Sequence, residues 1–109
     1  MNPTTNPANP PLLPFDTLVS VIGEPTRCAI LGKLSDGEGR MVNEIARQIG
    51  STPGAVSKQL AVLRRAGVVV LNRRLYQLPA RFIASREKRH LEFGHCLLRL
   101  PDENGQPTM

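Results

Sequence analysis

The sequence predicts a mainly α domain that carries one small β hairpin and has room for a further strand near its C-terminal end. Three observations lead there. Apolar residues recur at helical spacing in four successive stretches between Phe15 and Ala66. Gly, Pro, Ser or Asp punctuates each junction between them. After Gly67 the pattern changes to short β-branched runs separated by a turn.

Residues 1–14, MNPTTNPANPPLLP, hold five prolines and no charged side chain. Proline lacks an N–H and cannot sit inside a helix, so this stretch is expected to be a disordered lead-in, with Leu12 and Leu13 available to dock on the domain. A first helix is expected over Phe15–Ile22, with Phe15, Leu18, Val19 and Ile22 on one face and Gly23 closing it. A second begins at Glu24–Pro25, where proline is tolerated in the first turn, and runs through Ile30, Leu31 and Leu34 to Ser35–Asp36–Gly37.

The next stretch, VNEIARQIGSTPGAVSKQLAVLRRAG (42–67), reads as two amphipathic helices joined by a tight turn. Val42, Ile45, Ala46 and Ile49 share a face of the first. Gly50 ends it and Ser51 bridges the turn. Thr52 is a good N-cap for the second helix, and Pro53 suits its first position, where the missing N–H costs nothing. Val56, Leu60 and Leu63 make the buried stripe. At about 100° per residue, Gly54, Lys58, Ala61 and Arg65 point the other way. A small face bearing cations, on the second of two helices joined by a short turn, is what docking in a DNA major groove requires.

Val68–Leu71 and Leu75–Leu78 are expected to pair as a hairpin, with Asn72 and Arg73 in its turn and Arg73 and Arg74 at its tip. A hairpin directly behind such a helix pair is a wing. Residues 87–100, EKRHLEFGHCLLRL, admit either a strand or a helix. Gly94 would cost a helix about 1 kcal/mol, and Leu91, Phe93, His95 and Leu97 alternate, which favours a strand or hairpin arm. Residues 15–100 form the expected domain, ending in a dimerisation arm, and 101–109 a disordered polar tail.

The net charge is +5, but the charge is unevenly placed. Between Arg40 and His90 lie eleven Lys or Arg against only Glu44 and Glu87, a local balance of +9. A basic middle on a helix-turn-helix implies a polyanion, here double-stranded DNA. No catalytic constellation is present: seven of the nine carboxylates fall outside the basic middle, and no nucleophile is paired with a histidine. A non-enzymatic protein is expected, with no cofactor. No apolar run is long enough to span a membrane and no signal-peptide pattern is present, so a cytoplasmic location is expected. Cys28 and Cys96 lack metal-ligand spacing and read as free thiols, with no metal site.

GEPTR (23–27), followed by an apolar helix, NEIARQIG, AVSKQLAVLRRAGVVV and a short wing, resembles the ArsR-type winged helix-turn-helix regulators over about residues 15–80. The resemblance implies a dimeric DNA-binding transcription factor, most simply a repressor. Several members sense thiophilic metals through cysteines on the first helix of the pair; the corresponding Val42–Gln48 holds no Cys or His. Others use Asp, His and Glu on a final helix, where this chain offers His90, Glu92 and His95 on a segment that does not read as that helix. Metal sensing is therefore not implied. Pro53 and Gly54 also stand where the family often has base-reading polar residues.

The expected DNA-binding set is Ser51, Thr52, Gly54, Ser57, Lys58, Gln59, Arg64, Arg65, Arg73 and Arg74. Lys58 and Arg65 can reach phosphates. Ser57 sits at the margin of the outer face. Gln59 can pair with adenine bidentately but lies nearer the core side. Arg64 is an edge residue, and the wing arginines suit a minor groove or flanking phosphate. Arg27 reads as structural. Two rival readings stay open: a winged-helix protein-interaction adaptor, which Pro53–Gly54 favours, and a metal- or redox-responsive repressor built on Cys96 or the histidines.

Overall fold

The computed structural model describes residues 13–93 and 97–99. Four helices come first: α1 (Phe15–Ile22), α2 (Pro25–Leu34), α3 (Val42–Ile49) and α4 (Pro53–Arg65). They are followed by strands β1 (Val70–Asn72) and β2 (Leu75–Gln77), a 3₁₀ turn at Ala80–Phe82, and strands β3 (Ile83–Ser85), β4 (His90–Glu92) and β5 (Leu97–Arg99). β1 and β2 form an antiparallel hairpin, and β3, β4 and β5 form a second antiparallel sheet in chain order. This is the mainly α, winged helix-turn-helix architecture the sequence predicts, with the C-terminal segment in strands rather than a helix. No helix among the described residues is long and apolar enough to cross a membrane.

The helices start and stop where local chemistry dictates. Glu24 caps α2, its carboxylate accepting the Arg27 backbone N–H at 2.8 Å, with Pro25 in the first helical position. Thr52 caps α4 by accepting the Ala55 N–H at 3.2 Å. α3 ends at Gly50, whose φ of 71° is left-handed backbone that a side chain would strain.

One core collects the inward residues of every helix and of the C-terminal strands. Ile30, Leu31 and Leu34 of α2 and Ile45 and Ala46 of α3 are buried together with Val56, Leu60 and Leu63 of α4. Val68 and Val69 continue the core ahead of β1. Phe82 and Phe93 close its lower end, their rings tilted with centroids 5.3 Å apart. Leu13, placed in the lead-in by the sequence, is buried as well, so the packed part of the chain reaches at least that far.

Two expectations need correction. α1 does not bury the Phe15–Val19 side: Leu18 and Val21 face the core, while Phe15 and Val19 are 59% and 50% exposed. An eight-residue helix with apolar residues at 15, 18, 19, 21 and 22 offers two apolar faces, and packing against α2 selects the second. The hairpin turn also lies one residue later than expected. Asn72 pairs with Leu75, and the two turn residues are Arg73 and Arg74 with φ of 52° and 70°. This is the conformation of a two-residue type I′ turn, whose twist matches the flanking strands. Gly94, His95 and Cys96 lie outside the described residues, and the histidine–cysteine reading falls there with them.

Asp36, at the end of α2, accepts both terminal nitrogens of Arg40 at 2.9 and 2.7 Å and the Glu38 backbone N–H. The Arg40 hydrogen bonds hold its carboxyl below the ordinary value of 3.8. A folded-state pKa below the unfolded one means the contribution is complete above the ordinary aspartate range and is lost as pH falls through the folded value. The melting-temperature advantage of the wild type over Asp36→Asn should therefore be constant above about pH 5 and shrink steadily in acid. Thermal melts across that range check this.

Candidate nucleic-acid interface

The inner stripe of α4 decides which residues look outward. With Val56, Leu60 and Leu63 fully buried, Gly54, Ser57, Lys58, Ala61, Arg64 and Arg65 are all exposed. Arg64 and Arg65 flank a shallow depression floored by Ala61. Thr52 is exposed at the helix start, and its oxygen is engaged by the Ala55 N–H, so the hydroxyl proton remains available to donate outward. Ser51 is half-buried in the turn, where its N–H bonds to the Ala46 carbonyl at 2.9 Å. A side chain at Gly54 would meet no atom within 4 Å. The glycine is therefore not required by packing within the domain, and it leaves the first turn of α4 bare.

Gln59 is turned the other way. Its amide oxygen accepts from Nη1 of Arg27 at 2.8 Å, and the residue is half-buried between α4 and α2. Bidentate pairing with adenine needs that oxygen free, so in this geometry Gln59 serves the framework rather than the outer face. Arg27 uses its other nitrogens on the end of α1, donating to the carbonyls of Val21 at 3.3 Å and Ser20 at 2.7 Å. One guanidinium thus links three helices, which is the structural role the sequence assigns to it.

The wing is joined to the helices by backbone. Arg40 and Tyr76 exchange N–H···O bonds of 2.9 and 2.8 Å, forming a bridge between the segment before α3 and β2. Gln77 adds a side-chain bond to the Gly37 carbonyl at 2.6 Å. These contacts hold the wing beside the helix pair and leave a groove of about 290 Å³ between them. Met41, Asn43, Ser57, Leu71, Arg74 and Tyr76 are among its lining residues. Ser57 and Arg74, both predicted from the sequence, therefore share one groove. Met41, Asn43 and Tyr76 were not predicted, because the pairing of residue 40 with residue 76 leaves no local signature.

Arg73 and Arg74 both occupy left-handed backbone in which asparagine and glycine would rest without strain. Each non-glycine residue there costs about 1–2 kcal/mol. The turn thus places two exposed guanidinium-bearing residues at the tip in spite of that cost.

Among the described residues no group of three or more His, Cys, Asp or Glu is placed to hold a metal ion. Cys28 is half-buried and donates to the Ile22 carbonyl at 3.2 Å; burial first, and the charge of Glu24 second, push its thiol pKa up. A protonated thiol in that position is a poor nucleophile.

The double substitution Arg73→Asn with Arg74→Gly should raise stability by about 1–2 kcal/mol, because asparagine relieves only part of the left-handed strain and the unfolded-state entropy of glycine offsets part of the gain. Urea unfolding measures this, and a loss of stability would show that the arginines are held by contacts rather than strained.

In comparison with known protein families, residues 22–72 match the model of a helix-turn-helix domain. No curated protein and no solved structure matches the chain. The matched segment runs from the end of α1 to the end of β1 and contains the whole α3–turn–α4 unit. Residues 22–72 thus have the geometry of a helix-turn-helix and also match a helix-turn-helix family model.

Proposed function

We propose that this protein is a sequence-specific double-stranded DNA-binding transcriptional regulator that acts as a homodimer, most simply as a repressor. The observation that carries the reading is the shared groove of Ser57 and Arg74, which makes the outer face of α4 continuous with the wing. With α4 in the major groove, the wing lies over the adjoining backbone. The strand of DNA between the two would cross the groove lined by Asn43, Ser57, Arg74 and Tyr76. Lys58, Arg64 and Arg65 contact phosphates on one side and Arg73 and Arg74 on the other. Ser51, Thr52 and the bare backbone at Gly54 bring the positive end of α4 close to a phosphate or base edge.

The exposed Phe15 and Val19, one helical turn apart on α1, suit burial against a second copy, and the C-terminal arm is the other candidate for the dimer contact. A two-fold dimer would read half-sites about one helical turn apart, so the target should be an imperfect palindrome. The resemblance to ArsR-type regulators supports the repressor role.

The apolar part of the groove, Met41, Leu71 and Tyr76, favours a second reading as a protein-interaction adaptor. Salt titrations separate the two. Duplex affinity measured by fluorescence anisotropy should fall steeply with salt, and Lys58→Ala and Arg65→Ala should each lower the log–log slope by about one unit. Absence of duplex binding even at low salt would exclude the regulator reading and leave the adaptor.

A further inference from the structure

A second basic site lies apart from the groove just described and shares no lining residue with it. Lys33 at the end of α2, Arg40 before α3, Gln48 in the last turn of α3 and Arg89 in the β3–β4 turn surround a cleft of about 250 Å³. Its three cations come from three separate parts of the chain, and all three are half-buried. The cations of α4 and the wing, by contrast, are exposed. A solvated charged surface does not withdraw its lysines and arginines from water in this way.

The charges in the cleft are also incompletely balanced. Arg40 is matched by Asp36, which takes both terminal nitrogens, and its Nε lies 3.9 Å from Glu44. Among the described residues neither Lys33 nor Arg89 forms an ion pair. Asp36 feels the charge of Arg89, but its oxygens are already committed to Arg40. Arg89 donates from Nη1 to the Gly32 carbonyl at 3.2 Å, which fixes the guanidinium against α2 and leaves its other donors available. The backbone of Arg89 is itself unusual, with a φ of 58° where glycine or asparagine would be unstrained. A strained residue that supplies a positioned cation to a cleft is the kind of outlier from which a binding role is inferred.

We infer that this cleft binds a small phosphate-bearing anion, either inorganic phosphate or a compact phosphomonoester. Two cations without an ion pair among the described residues match a dianion. Arg89 presents a planar fork to two phosphate oxygens, Lys33 adds a point charge, and the Gln48 amide can donate to a third oxygen. The volume lies below the range of about 300–1,000 Å³ usual for larger ligands, which limits what the phosphate can carry. α3 forms a wall of the cleft and packs on α4, so an anion held here touches the element that supports the proposed DNA-facing helix.

Calorimetry on the full chain at fixed ionic strength, with inorganic phosphate and glycerol phosphate as probes against chloride, tests this. Saturable binding of one phosphate per chain is expected. Lys33→Ala and Arg89→Gly should each weaken it about tenfold, the loss of one charge-assisted contact. Glycine accepts the backbone of position 89, so that variant should keep its fold, and a thermal melt verifies it. Lys58→Ala should leave phosphate affinity unchanged. Failure to saturate, or equal phosphate binding by wild type and both cleft variants, overturns the proposal. A third result also overturns it: cleft variants with unchanged phosphate affinity but a reduced salt slope for duplex DNA, which would make the cleft a contact for the DNA backbone.

Discussion

Burial of three residues on one side of α4 governs the rest of the molecule. Val56, Leu60 and Leu63 are fully buried on a helix that packs against α2 and α3, and a helix with its inner stripe fixed has no remaining choice of rotation. Each such side chain contributes about 1.5–3 kcal/mol by leaving water. The outer row of Gly54, Ser57, Lys58, Ala61 and Arg65 is therefore a consequence of core packing. Arg27 reinforces the arrangement from the side, joining the end of α1 and Gln59 of α4 through one guanidinium. Glu24 serves the same joint by capping the helix that carries Arg27. The GEPTR stretch is thus the hinge pin of the helical layer, although it touches none of the outward-facing cations.

The wing depends on a different constraint. A hairpin of three-residue strands has little stability alone, and here the Arg40–Tyr76 backbone bridge and the Gln77–Gly37 bond attach it to the helices. That attachment lets the turn carry two left-handed arginines in place of the residues a type I′ turn prefers. The same loop, residues 36–40, serves both basic regions: its backbone holds the wing, while Arg40, held by Asp36, lines the cleft with Arg89.

The sequence reveals those features that are set within one turn or one strand. Helix limits follow from Pro25, Pro53, Thr52 and Gly50, and the inner stripe of α4 follows from its spacing. The same local reading misses where two solutions are equally periodic. α1 has apolar residues on two faces, and only contact with α2 buries Leu18 and Val21 in preference to Phe15 and Val19. In the hairpin, Asn72 is the better left-handed residue, yet strand pairing moves the turn onto Arg73 and Arg74. Gln59 has the chemistry of a base reader, but Arg27, thirty-two positions earlier, claims its oxygen. The groove between α4 and the wing and the basic cleft are invisible in the sequence for the same reason: each is assembled by contacts such as 40 with 76 and 32 with 89.

The molecule therefore carries two cationic regions of different character, an exposed one on α4 and the wing and a half-buried one behind α3. The central claim is that the exposed region meets DNA through a helix whose orientation the core has fixed. Amide chemical-shift mapping on the isotopically labelled protein, titrated with a short duplex at low salt, tests it most directly. The largest shifts should fall on Ser51–Arg65 and on the wing turn at Arg73–Arg74, with Lys33, Gln48 and Arg89 little changed. Shifts concentrated on the cleft residues, or on α1 with α4 unaffected, would contradict it.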